Sequence, residues 1–116
     1  MKTKIKKLQI DQHKGWKACW WEGFESKDES VCIIEIEPGK SLNHKHLLKT
    51  EHEFEIILDG EATYKGAING VFHFGDVVEQ TGTSDLIKIK NTGDKTLRLI
   101  CVNRPPWRPE HEEILI

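Results

Sequence analysis

At 116 residues, with 37% hydrophobic and 31% charged residues, the chain has the length of one domain and the composition of a folded one. A formal net charge of -2 argues against a dedicated nucleic-acid binder, and no apolar run approaches the ~20 residues of a membrane span. Three cysteines, Cys19, Cys32 and Cys101, are an odd number without a Cys-x-x-Cys pair, which argues against a disulfide framework and fits a reducing, cytoplasmic setting.

From the N-terminus, the basic start Met1 to Lys7 lacks the apolar stretch of a signal peptide and reads as a solubilising end or a protected sheet edge. Beyond it, runs rich in Val, Ile, Phe, Thr and Tyr alternate with short turn signals. That spacing predicts an all-β sandwich or barrel. Strands are expected over 15–21, 31–37, 41–46, 53–58, 61–67, 71–74, 85–90 and 96–103. Asn69-Gly70 is the two-residue signal of a type I′ hairpin, and Asn91 to Lys95 reads as a longer hairpin. Pro105-Pro106 ends the last of these strands. The tail after Pro109 is read as a short helix or an added strand. The whole chain, 1–116, is taken as a single domain: a barrel core over about 31–103, N-terminal strands in 1–30, and a tail from 104 to 116.

Chemistry concentrates in the third and fourth of these strands. His44 and His46, two apart on a strand, point to one face, and paired imidazoles are good ligands for Fe, Mn, Ni or Zn. Glu53 begins the next strand and stands seven positions before Gly60. Its rival is His52, because a one-residue slip would exchange their faces.

The phrase Gly39, His44-Lys45-His46, Glu53, Gly60 resembles the first motif of the cupin superfamily. Gly75-Asp76-Val77-Val78 and Asn91-Thr92-Gly93-Asp94 resemble the ends of its second. The resemblance covers about residues 33–103 and implies a single-domain cupin-like β-barrel, the double-stranded β-helix or jelly roll. It also implies a divalent metal held by His44, His46 and Glu53. The family's second-motif histidine would fall at Leu86 or Ile87, and all six histidines of the chain lie elsewhere. The remaining set is two histidines and one carboxylate, which leaves open positions for water, oxygen or a substrate.

The expected ligand pocket comprises Glu55, Leu86, Lys88 and Tyr64, although Glu55 also reads as a solvated surface residue. Lys88, Lys90 and Arg98 read as a solvated face, and His73 as a surface histidine. Cys32 and Cys101 read as buried small hydrophobes. The four tryptophans, Trp16, Trp20, Trp21 and Trp107, are expected to cap the barrel or line a dimer interface; a stacking wall for a ring-bearing ligand is the sharper alternative. Two functions follow. One is a metal-dependent isomerase, lyase or oxygenase acting on a small polar organic molecule. The other is a metal-free small-molecule-binding or sensing protein. The expected partners are that small molecule and a second copy of the chain in a homodimer, with neither nucleic acid nor membrane.

Overall fold

The structure, a computed structural model, describes residues 1–21 and 28–115. In chain order the strands are β1 (Leu8–Gln12), β2 (Trp16–Trp21), β3 (Ser30–Ile36), β4 (Ser41–His46), β5 (His52–Asp59), β6 (Ala62–Gly66), β7 (Gly70–Phe72), β8 (Val77–Thr81), β9 (Ile87–Asn91), β10 (Leu97–Arg104) and β11 (Glu112–Leu115). A 3-10 turn at Pro109–His111 precedes β11. No helix among the described residues is long and apolar enough to cross a membrane.

The strands form two antiparallel sheets, in the orders β1-β2-β3-β10-β5-β8 and β11-β4-β9-β6-β7. The expected barrel is therefore two sheets packed face to face and not a closed cylinder. Their inner faces meet in one apolar cluster. Ile34, Ile36, Ile57, Leu97 and Leu99 come from the first sheet, and Leu42, Ala62, Tyr64, Ile87 and Ile89 from the second. Period-two alternation produces it: β9 reads buried, exposed, buried, exposed, buried, and β10 does much the same.

The same alternation places polar groups at one end. The buried face of β4 runs Leu42, His44, His46; that of β5 runs Glu53, Glu55, Ile57; that of β10 runs Leu97, Leu99, Cys101, Asn103. Each strand changes from apolar to polar along its length, and the polar ends converge.

Several local expectations are corrected. Asn69-Gly70 is not a type I′ turn: β6 ends at Gly66, no non-glycine residue among those described takes a positive φ, and the Asn69 amide instead donates to Gly66 O at 2.8 Å. Asn91 to Lys95 is not a hairpin, because β9 and β10 belong to different sheets and the segment crosses between them. Its geometry rests on the fully buried Asn91. That side chain donates to Ile36 O at 2.8 Å and Lys95 O at 2.7 Å and accepts from Gly93 N at 2.9 Å. The strand expected at 71–74 stops at Phe72, and β8 was not anticipated. The tail resolves to a strand, with β11 pairing along β4.

Gly66 has φ +108°, and a Cβ there would overlap the backbone carbonyl of Leu86, which accepts from Ala67 N. Gly39, at φ +76°, faces open space. Urea unfolding of the two alanine variants should separate strain from collision. Gly39→Ala should cost about 1 kcal/mol, the price of a left-handed backbone alone. Gly66→Ala should cost about 3 kcal/mol, because backbone must move as well.

Candidate metal centre

His44 and His46 project from β4 into the polar end of the interior and are 2% and 1% exposed. Their rings lie 5.1 Å apart, edge to face. Glu53, 4% exposed, reaches the same point from β5. One ligand atom from each of the three lies within 4.8 Å of the others, close enough to share an ion. The question between Glu53 and His52 is settled by register. His52 lies on the outer face, where its Nε2 meets Glu79 Oε1 at 2.6 Å.

Two observations on the residues themselves fit a cation. His44 Nδ1 and His46 Nε2 are buried nitrogens without a hydrogen-bond partner. A buried polar group left so is costly unless something else fills the position. The other ring nitrogen of His46, Nδ1, pairs with Glu51 Oε2 at 2.7 Å. That bond fixes the ring and leaves Nε2 facing Glu53 Oε1, 3.8 Å away. Carboxylate, histidine and metal in line is how ligating imidazoles are usually oriented.

A layer of amides holds the carboxylates. Asn103 Nδ2 on β10 donates to Glu51 Oε1 at 3.0 Å and to Glu53 Oε2 at 2.7 Å. Gln80 Nε2 on β8 donates to Glu53 Oε1 at 3.4 Å and also to Glu55 Oε1. The Tyr64 hydroxyl donates to Glu55 Oε1 at 3.3 Å. Glu112 on β11 stands in register with His46 across the sheet and accepts from Trp107 Nε1 at 2.9 Å.

The electrostatics follow from burial. Burial, then the adjacent His46, lowers the pKa of His44 to about 3, so it is a neutral donor ring. Burial opposes charge on His46, but its bond to Glu51 and the charges of Glu53 and Glu51 prevail and raise its pKa. Burial, then repulsion from Glu55 and Glu112, raises that of Glu53. Burial, then Glu112, raises that of Glu55 to about 8.

A cavity of about 750 Å³ opens over this floor. Its walls include His44, Glu53, Glu55, Asn103 and Glu112, and all four tryptophans stand around it. Trp16 is buried and also belongs to the core, while Trp20 and Trp107 are each 37% exposed at the mouth. Glu55 is 3% exposed, not solvated, because it shares the inward face of β5 with Glu53. The other three residues expected in the pocket do not line it. Leu86 is 39% exposed ahead of β9, Lys88 is exposed on the outer face of β9, and Tyr64 lies behind Glu55 in the core. Ile87, fully buried and paired with His44, occupies the place nearest to a fourth ligand. Cys32 and Cys101 are register partners on the cavity wall, with Cys32 only half-buried.

Glu51, Gln80, Asn103 and Glu112 were missed from sequence. Parity along the strand would have found Asn103, which shares the phase of Leu97 and Leu99. Glu51 lies in a loop where no period applies.

No family model matches the sequence, and neither does a curated protein. Solved structures do match in shape. Streptomyces PAC13 with uridine has a TM-score of 0.76 at 8% identity, over 99% of this chain and 92% of that one. KdgF from Halomonas sp. has a TM-score of 0.70 at 11% identity, over 90% and 89%. An RmlC-like cupin from Shewanella frigidimarina has a TM-score of 0.66 at 15% identity, over 89% and 87%. The architecture is thus the cupin fold, the double-stranded β-helix. Within it, this chain carries a His-His-Glu group that can hold a metal ion.

Two measurements check the site. Replacing Glu51 with Gln should weaken metal binding about 10–100-fold by calorimetry while leaving the three ligands in place. The second concerns pH. A carboxyl whose folded pKa lies above its unfolded value favours the folded state below the unfolded pKa and loses that contribution as pH rises through the folded one. Above pH 6.5, the unperturbed histidine value, His44 is neutral in the folded state and mostly neutral in the unfolded one. Metal-free protein should therefore melt earlier as pH is raised from 6.5 to 8, the range ending at the Glu55 value. Glu55→Gln should reduce that slope, leaving the part contributed by His46 and Glu53, whose pKa values are also raised; an unchanged slope would remove Glu55 as a source.

Proposed function

We propose that this protein is a metal-dependent enzyme acting on a small polar organic molecule in the cavity, by proton-transfer chemistry of the lyase or isomerase kind. One observation carries the reading: His44 and Glu53, grouped with His46 closely enough to share an ion, line an open cavity with a second carboxyl, Glu55, on the same wall. A divalent ion such as Fe, Mn, Ni or Zn, held by these three residues, would supply Lewis-acid polarisation of a substrate oxygen.

The chain's own groups supply the rest. Glu51 keeps His46 Nε2 turned toward the ion site through its bond to Nδ1. Glu55 is the residue placed to take or give a proton, its Oε1 held by Tyr64 and Gln80. Asn103 keeps Glu51 and Glu53 aimed without adding a competing charge. The four tryptophans wall the cavity around these groups. Pac13 is described as a unique nucleoside dehydratase. At 8% identity the likeness carries the fold alone, and the dehydratase supports the reading only as an elimination housed in this architecture.

A second reading, a metal-free binding protein, is favoured by Ile87. An apolar side chain stands opposite His44 where a fourth ligand would complete a tighter site. Elemental analysis of untagged protein across Mn, Fe, Co, Ni, Cu and Zn decides between the two. The enzyme reading expects near-stoichiometric metal, lost when His44 and His46 are both replaced by Ala. Full metal in that double variant would place the ion elsewhere. Protein that carries no metal, refuses added metal and still retains an organic ligand would favour the second reading.

A further inference from the structure

The cavity mouth holds two indole–carboxylate pairs. Trp20 Nε1 on β2 donates to Asp11 Oδ2 on β1 at 3.0 Å. Trp107 Nε1 donates to Glu112 Oε2 on β11 at 2.9 Å. All four residues line the cavity. The arrangements are unrelated in sequence, since one joins neighbouring strands of the first sheet and the other spans the tail of the second. Both put an indole beside a carboxylate it holds in place. The two rings, each 37% exposed, are not consumed by the core.

Aromatic faces carry negative charge density and attract organic cations, most strongly for Trp. A carboxylate fixed at the ring edge adds a full charge to the same position. The charge balance points the same way. If Glu51 and Glu53 are set against a divalent ion, Asp11 and Glu112 remain on the cavity wall. Among the described residues, Arg108 is the only Lys or Arg on the cavity wall. Its Nη1 donates to Trp107 O at 2.9 Å. His44 lines the same cavity, 2% exposed, with the unpartnered nitrogen assigned above to the ion.

We propose that the molecule taken by this cavity bears an organic cation, a protonated amine or a quaternary ammonium, seated at the mouth between the Trp20–Asp11 and Trp107–Glu112 pairs. The inference deepens the proposed function and rests on its reading of the cavity as the substrate site. It adds that the oxygen-bearing end lies on the floor and the cationic end at the rim.

A matched pair of probes tests it. Phenethylamine and phenylacetate share one ring and carry opposite charge. Binding of each to metal-loaded protein is followed by tryptophan fluorescence and calorimetry near neutral pH. Phenethylamine should bind at least about tenfold more tightly. The Asp11→Asn variant should lose part of that preference and keep its metal, and adding Glu112→Gln should abolish the rest. If that variant melts early, Trp107→Phe serves instead. It retains a ring, removes the Nε1 donor, and should also weaken phenethylamine. Equal or tighter binding of phenylacetate overturns the proposal, and so does failure of both probes to saturate by about 10 mM. Protein that takes no metal yet prefers the amine would defeat the metal reading and leave this one standing. Metal-loaded protein indifferent to probe charge would do the reverse.

Discussion

The polar end of this molecule is governed by one constraint: Glu51, Glu53 and Glu55, all almost wholly buried, are bridged to one another by neutral amides, with His46 beside the first two and no lysine or arginine hydrogen-bonded to them among the described residues. Asn103 stands between Glu51 and Glu53, and Gln80 between Glu53 and Glu55. An amide satisfies lone pairs without cancelling charge. A lysine in either place would have formed an ordinary buried ion pair and closed the site. Amides keep the carboxylates aimed and leave their charge to be met by protons or by an ion from outside the chain. The unpartnered nitrogens of His44 and His46 face that same charge.

The rest of the architecture serves to gather these groups from separated parts of the chain. β4 brings the histidines, β5 two carboxylates, β8 and β10 the amides, and β11 a further carboxylate. Gathering them requires only that each strand keep its alternation and lie in register with its neighbours. The apolar half of each strand supplies that register, because a slip of one residue would turn Leu99 and Ile57 outward along with the functional groups. Core and site are therefore two halves of the same strands, and Asn91 pins the crossing between the sheets from the far end.

What was legible in the sequence was whatever obeys a short period. His44 and His46 are two apart, Glu53 keeps a fixed distance to Gly60, and the turn residues punctuate the strands. From these the all-β class, the cupin resemblance and the three grouped residues could be read. What failed depends on which sheet a strand joins. Asn91 to Lys95 has hairpin composition but bridges two sheets, a fact set by the partners of β9 and β10 and not by the turn itself. Leu86 was placed in the pocket by its position in a family motif and Lys88 as an inward-facing lysine, whereas the phase of β9 buries Ile87 and Ile89. Glu51 acts from a loop, and Glu112 acts through a strand that exists because β4 has a free edge to pair. Neither has a local signature. The tryptophans were visible as an excess of one residue type, but their gathering around one cavity depends on the β1–β2 hairpin and the tail meeting in space.

That meeting divides the cavity by ancestry of chain segment. The floor comes from the middle of the sequence, on strands locked between neighbours on both sides. Much of the rim comes from the two ends: β1 and β2 before residue 22, and the stretch from Trp107 onward. β1 and β11 are the outermost strands of their sheets, each paired along one side only. Mutations on β1 lie away from β4 and β5, which carry the ion-holding groups, whereas β11 runs directly beside His44 and His46. At its N-terminal end the fold thus separates what the site does from what it admits, and a lineage could exchange one set of guests for another by rewriting β1 while the reactive centre stays as it is.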